Sequence, residues 1–328
     1  MSAQKSPWQS ELARMVTCPK TLFSLLELDE RALQDAMAAA ALFPLRVTHS
    51  FISRMEKGNL NDPLLRQVLP LGQELATTPG YTNDPLQEKN ANPVPGLLHK
   101  YQSRVLVTLT SACAIHCRYC FRRSFPYNEN TPGRSGWQAL IDYIQQDANI
   151  NEVILSGGDP LAVNDAYLHE FTKALKTLPQ IKRLRIHTRL LVVLPERVTP
   201  ELLAWLTSLS MKPIIVIHAN HPNEINGTVK EALALLQKAG VTLLNQSVLL
   251  KNINDNEATL TALSEKLFEC GVLPYYLHML DKVNGAAHFD CTPEKAKQLH
   301  ASMKRVLPGY LVPKLVVEVA GALSKTWV

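Results

Sequence analysis

The sequence predicts an α/β fold in which parallel strands and helices alternate around an incomplete barrel or strongly curved sheet. Three observations point there. Six apolar, β-branched runs are each followed by a loop and an amphipathic stretch. They recur at a spacing of roughly 30 residues, which a right-handed parallel crossover requires. Chemically active side chains then gather at the C-terminal ends of those runs, where barrel enzymes assemble their sites.

Taken in order, residues 1 to about 98 read as a mainly helical extension, with Leu and Ala at helical spacing between Cys18 and Leu42. Pro79-Gly80 and the run Asn92 to Gly96 punctuate the chain, and the core domain is placed at 99–328. The strand candidates are Arg104 to Thr110, Glu152 to Ser156, Arg183 to Thr188, Pro213 to His218, Val241 to Leu250 and Val272 to Met279. Between them, Val229, Ala232, Leu233 and Leu236 fall at i, i+3, i+4 and i+7, predicting a helix over 228–239 that Gly240 ends. Thr199-Pro200 and Thr292-Pro293 read as N-caps followed by proline at the first helical position. A last apolar run, Leu315 to Ala320, leads into Gly321-Ala-Leu-Ser-Lys325.

With 328 residues and 46% hydrophobic content, the chain can bury a sizeable core, yet no apolar run reaches the ~18 residues of a membrane span. The stretch Met1 to Trp8 lacks the apolar segment of a secretory signal, so the expected location is the cytoplasm, with no membrane partner. The net charge of +5 is spread without single-sign blocks, which argues weakly for nucleic acid and equally well for anionic cofactors.

Three of the six cysteines, Cys113, Cys117 and Cys120, lie within eight residues in a CxxxCxxC array just after the first strand run. That crowding favours a metal centre over a disulfide framework. A closed zinc site wants four ligands, and His116 sits awkwardly between the first two cysteines. An iron-sulfur cube held by three thiols would keep one iron open to a ligand. Other candidates at strand ends are Ser156-Gly157-Gly158-Asp159, His187-Thr-Arg189, His218-Ala-Asn220-His221, Asn245-Gln246-Ser247 and Asp281. By itself Gly157-Gly158-Asp159 reads as an ordinary turn; Lys325 reads as a solvated lysine or, delivered by a valine-rich run beside the small Gly321, Ala322 and Ser324, as a Schiff-base lysine; and Asp281 and Glu318 read as halves of structural salt bridges or as carboxylates awaiting a cationic ligand.

The CxxxCxxC spacing with Tyr119 before the third cysteine resembles the radical S-adenosylmethionine (SAM) superfamily. Cys-Arg-Tyr-Cys-Phe-Arg-Arg, Leu-Ser-Gly-Gly-Asp-Pro-Leu, Asn-His-Pro-Asn-Glu-Ile, Asn-Gln-Ser-Val-Leu-Leu and Tyr-Tyr-Leu-His-Met-Leu-Asp together resemble lysine 2,3-aminomutases. The likeness runs from about His99 to Lys325, and is strongest to short bacterial members making (R)-β-lysine for modification of elongation factor P. It implies a partial (βα)6 TIM-like barrel carrying a [4Fe-4S] cluster, SAM and pyridoxal 5'-phosphate (PLP). Cys113, Cys117 and Cys120 would hold the cluster, and Gly157, Gly158, Asp159, Tyr119 and Gln246 would surround SAM. Lys325 would be the Schiff-base lysine for PLP, with Arg104 and Lys100 at its phosphate. Arg122 would hold the substrate α-carboxylate, and Asp281 and Glu318 its ε-ammonium.

The implied partners are L-lysine, a reduced flavodoxin- or ferredoxin-type electron donor and, functionally, elongation factor P with its lysine ligase. The sequence departs from the family pattern at Lys100, where arginine is usual, and at Glu318, where aspartate is usual. Two other readings are an aminomutase for another amino acid such as glutamate, and an iron-sulfur sensor that binds RNA. Two acids placed for a distal ammonium speak against the first. A Schiff-base lysine, and the lack of a basic-aromatic platform, speak against the second.

Overall fold

A computed structural model describes residues 6–328; the first five residues of the expected leader-free N-terminus lie outside the described residues. Among the described residues, the nine strands of one sheet are paired in chain order. They are β1 (Leu97–Tyr101), β2 (Arg104–Thr108), β3 (Glu152–Ser156), β4 (Arg183–Thr188), β5 (Lys212–His218), β6 (Thr242–Val248), β7 (Leu273–His278), β8 (Lys314–Val317) and β9 (Thr326–Trp327). Strands β2 to β8 run parallel, while β1 and β9 close the two edges antiparallel. The last apolar run thus supplies a seventh parallel strand beyond the six expected, and β1 and β9 are additions that sequence periodicity did not show.

Helices α1 (Pro7–Ala13), α2 (Pro19–Leu26), α3 (Leu33–Leu42) and α4 (His49–Ile52) precede the sheet. The crossovers are α5 (Trp137–Gln145), α6 (Asp165–Leu175), α7 (Leu190–Val193), α8 (Pro200–Thr207), α9 (Gly227–Lys238), α10 (Glu257–Glu269) and α11 (Pro293–Val306). The hydroxyls of Thr199 and Thr292 accept from the amides of Leu202 and Lys295, the expected caps ahead of proline. Gly240 ends α9 at φ +77°, a conformation that costs glycine little.

The period-two alternation of the strands explains where the cavity lies. In β2, Val105 and Val107 are buried against the outer layer, whereas Arg104 and Leu106 line the interior. In β4 the apolar pair is Leu184 and Ile186, and Arg185 and His187 face inward. Apolar side chains therefore fasten these strands to the outer layer, while Arg104, Arg185 and His187 bring polar groups to the hollow. The lead-in shares the barrel's core, since Trp8, Leu22, Phe51 and Leu65 belong to the same apolar cluster as the strands. No helix of the described residues is long and apolar enough to cross a membrane.

Candidate active site

A cavity of 510 Å³ occupies the barrel mouth, a size suited to small-molecule ligands. Cys113, Cys117 and Cys120 line one part of it; Arg104, Asp281, Glu318 and Lys325 line another, and Arg122 lines it as well. The structure therefore brings together residues more than two hundred positions apart.

The cysteine loop follows β2 as irregular chain, and the N-terminal lead-in holds it in shape. Arg118, fully buried, donates from Nε and Nη2 to the two oxygens of Glu74 at 2.8 and 2.6 Å, and from Nη1 to the carbonyl of Phe43 at 2.7 Å. Arg123 adds a 2.9 Å bond to the same carboxylate. His116 stacks on Phe43 with ring centroids 4.8 Å apart, and its Nδ1 meets the carbonyl of Pro44 at 2.7 Å. Burial lowers its pKa to about 4, and its ring is occupied by the lead-in instead of joining the thiols. All three cysteines are free of disulfides. Burial raises the Cys113 thiol well above its ordinary range and pushes Cys120 up to about 11. Arg189 donates to Cys117 Sγ at 2.7 Å, supplying positive charge to this thiol.

The glycines following β3 are required by chain packing. A Cβ on Gly158 would lie 2.6 Å from the carbonyl oxygen of Thr110 and 2.8 Å from that of Ala112. Gly157 adopts φ +107°, and a Cβ there would meet Thr108. Their close approach is to the cysteine loop itself, so the two loops form one unit at the cavity wall. Asp159, expected near a ligand, has its carboxylate turned into protein: it accepts from Thr188 Oγ1 and from the amides of Leu161, Arg189 and Leu190. It braces β3 against β4. The Tyr119 hydroxyl likewise joins a buried polar cluster, accepting from Asn220 at 2.6 Å and donating to Gln67 at 3.3 Å. Gln246, on β6, faces the cavity.

Further round the cavity, an ion chain alternates in sign. Glu88 pairs with Arg122 and Lys100, Lys100 pairs with Glu318 at 2.8 Å, and Glu318 pairs with Lys325 at 2.6 Å. Lys100, expected at a phosphate, is committed to two carboxylates, because Glu318 is long enough to meet both it and Lys325. Arg104 instead remains available: its guanidinium lies over the Tyr101 ring at 4.4 Å, with only a 3.4 Å side-chain bond to Ser103. Burial opposes ionisation of Glu318, but the ammonium groups of Lys325 and Lys100 outweigh it and hold its pKa well below the usual carboxylate range. Asp281 has the opposite balance. Burial, then repulsion from Glu318, pushes it up to about 7 against the pull of Lys325 and Lys100. Burial also keeps His187, His218 and His278 neutral around the cavity.

Residues 107–263 match the model of the radical SAM superfamily. The chain is 48% identical over 323 residues to the L-lysine 2,3-aminomutase of Escherichia coli (strain K12), an overlap covering 98% of this chain and 94% of that protein. The chain belongs to the lysine 2,3-aminomutase family. Identity to the Haemophilus influenzae enzyme of the same name is 47%, covering 98% of this chain and 96% of that one. For the longer Clostridium subterminale enzyme it is 33%, over 99% of this chain and 78% of that protein.

The residues present fit the family's groups. Three half-buried thiols free of disulfides on the cavity wall suit a [4Fe-4S] cluster, whose positive irons would displace the protons that burial retains on Cys113 and Cys120. Lys325, with its small neighbours Gly321, Ala322 and Ser324, suits anchoring of PLP, and Arg104, which has no carboxylate partner among the described residues, suits its phosphate. Glu88, which lines the cavity, and Glu74 and Gln67, buried behind the cysteine loop, have no signal in the sequence motifs; Glu224 lies in the Asn-His-Pro-Asn-Glu-Ile motif without a role assigned to it.

Proposed function

We propose that this protein is an isomerase converting L-lysine to β-lysine by migration of the amino group from C2 to C3. The observation that carries this reading is the single cavity in which a three-thiol loop, Arg122, two carboxylates and Lys325 converge. When bound, the reduced cluster with SAM supplies a carbon radical, and PLP supplies the π-system that carries the migrating nitrogen. Cys113, Cys117 and Cys120 would hold the cluster, and the Gly157–Gly158 backbone with Tyr119 and Gln246 would shape the adjoining SAM region. Lys325 would anchor PLP and Arg104 would receive its phosphate, whereas Lys100 pairs with Glu318. Arg122 takes the substrate α-carboxylate, and Asp281 and Glu318 take the ε-ammonium. Two carboxylates opposite a guanidinium select a dibasic amino acid and repel the side chain of glutamate.

The test is an anaerobic assay with iron, sulfide, SAM, PLP and reductant, offered lysine, glutamate and arginine in turn, with chiral analysis of the product. Lysine is expected to give β-lysine; SAM cleavage without isomerisation of lysine, with cluster and PLP both loaded, would overturn the assignment. We assign the product the (R) configuration, for attachment to elongation factor P by a separate ligase, with a reduced flavodoxin- or ferredoxin-type protein as electron donor. An (S) product would sever that link.

Asp281 gives the site a pH signature. An ammonium needs the ionised carboxylate, so lysine binding is expected to tighten as pH rises through about 7, with a proton released on binding below that point. Calorimetric titration of the PLP-loaded protein in buffers of different ionisation heat measures this, and Asp281→Asn should flatten the profile. Stability has the reverse trend. Between its ordinary value of 3.8 and about 7, the folded protein retains a proton that the unfolded chain releases, so this group's contribution falls across that window.

A further inference from the structure

Glu88 joins Arg122 to Lys100 in the ion chain, and neither motif nor periodicity singles it out. It opens a short 3-10 turn, Glu88–Ala91, directly after Gln87, whose φ of +50° is left-handed for a non-glycine residue. Such a conformation persists where its surroundings hold it, often beside a functional site. The Asp84 carboxylate accepts from the Glu88 amide at 3.0 Å and steadies the turn. The Glu88 side chain is 3% exposed.

Its two oxygens are fully engaged. Oε2 accepts from Arg122 Nε at 2.7 Å, Oε1 accepts from Arg122 Nη2 at 2.8 Å, and Oε1 also lies 2.9 Å from Lys100 Nζ. A guanidinium has five N–H groups, and Glu88 takes the Nε edge. The Nη1 end is left, with one weak 3.3 Å bond to Ser156 Oγ at the C-terminal end of β3. Lys100, steered by the same carboxylate, passes the connection to Glu318 at 2.8 Å. Burial opposes the charge on Glu88, but Arg122 and then Lys100 outweigh it, so it stays ionised.

We propose that Glu88 is a positioning residue that sets the spacing between the two ends of the substrate site. It offers only the Nη1 end of Arg122 to the α-carboxylate, and through Lys100 it fixes Glu318 at the ammonium end. This rests on the assignment of Arg122 and Glu318 to those two ends. Arg122 and Glu318 serve the two ends separately, whereas Glu88 links them through Lys100 and thereby measures the length of the amino acid between them.

The experiment compares equilibrium binding of lysine, its shorter homologue ornithine, and lysinamide to protein loaded with cluster, SAM and PLP, by calorimetry without reductant so that nothing turns over. Glu88→Gln preserves shape and removes the charge. It is expected to lower the lysine-to-ornithine affinity ratio at least about tenfold, whereas a merely structural defect lowers both affinities alike. Should Glu88→Gln fail to fold, Lys100→Met cuts the same link on its other side and carries the same expectation. An unchanged ratio in the folded variants overturns the proposal. Arg122→Gln separates the two assignments. If it leaves the preference for lysine over lysinamide intact, the carboxylate site is elsewhere and both readings fall. If it erases that preference while Glu88→Gln and Lys100→Met keep the length ratio, only the role of Glu88 falls.

Discussion

Lys325→Ala is expected to abolish turnover, by at least ~10³-fold or about 4 kcal/mol of barrier, while leaving the iron content and cluster absorbance at the parental level. The separation follows from the architecture. The cysteine loop is held by Glu74, Phe43 and Pro44 of the lead-in, and none of these contacts involves the β8–β9 connection that carries Lys325. The same variant should lose the visible absorbance of enzyme-bound PLP. Lys325→Arg sharpens the test, because it returns a positive charge to Glu318 without an amine able to anchor PLP. If either variant keeps the PLP absorbance, the anchor lies elsewhere.

Glu74→Ala should have the largest effect on the protein itself. Glu74 is buried and answers two guanidinium groups, bidentate to Arg118 and single to Arg123. Its removal leaves both cations with no counter-charge in the interior, a change that costs about 3–5 kcal/mol. The damage falls on the cysteine loop, since Arg118 lies between Cys117 and Cys120. Urea melts should show the loss of stability, and reconstitution should show fewer irons per chain than the parent. Glu74→Gln, which keeps the shape and part of the hydrogen bonding, should fall between. Parental iron content in a folded Glu74→Ala protein would mean that the lead-in does not hold the loop.

The parts of this molecule that can be read from sequence are those whose cause is local. Val105 and Val107 alternate with Arg104 and Leu106 within one strand, so both the strand and its inward face are written in five residues. The cysteine triplet is legible for the same reason, its spacing being a property of one loop. Lys325 needed a family likeness, because nothing near it in the chain shows that Glu318 and the cavity await it. Glu74 and Glu88 sit in 3-10 turns with no apolar period, and their partners lie 44 and 34 residues away. Asp159 shows the limit in another form. Its place in the Gly-Gly-Asp turn is readable, but the direction of its carboxylate is decided by amides of Arg189 and Leu190, about thirty residues downstream. Lys100 and Glu318 look like two separate departures from the family pattern in sequence; in space they are one pair.

The sheet pairs its strands strictly in chain order, and this bears on how the protein acquires its two resident groups. A ribosome adding roughly 5–20 residues per second needs on the order of 10–40 s to travel from Cys120 to Lys325. During that interval the three thiols, the lead-in that braces them and the first strands already exist, whereas the far wall of the cavity does not. Iron and sulfide can therefore find their ligands on a nascent chain. On the proposed assignment of Lys325, capture of PLP would have to await the β8–β9 pairing of Val316 and Val317 with Trp327 and Thr326, which flanks that lysine. Capture of that cofactor would then report that folding has reached the β8–β9 edge.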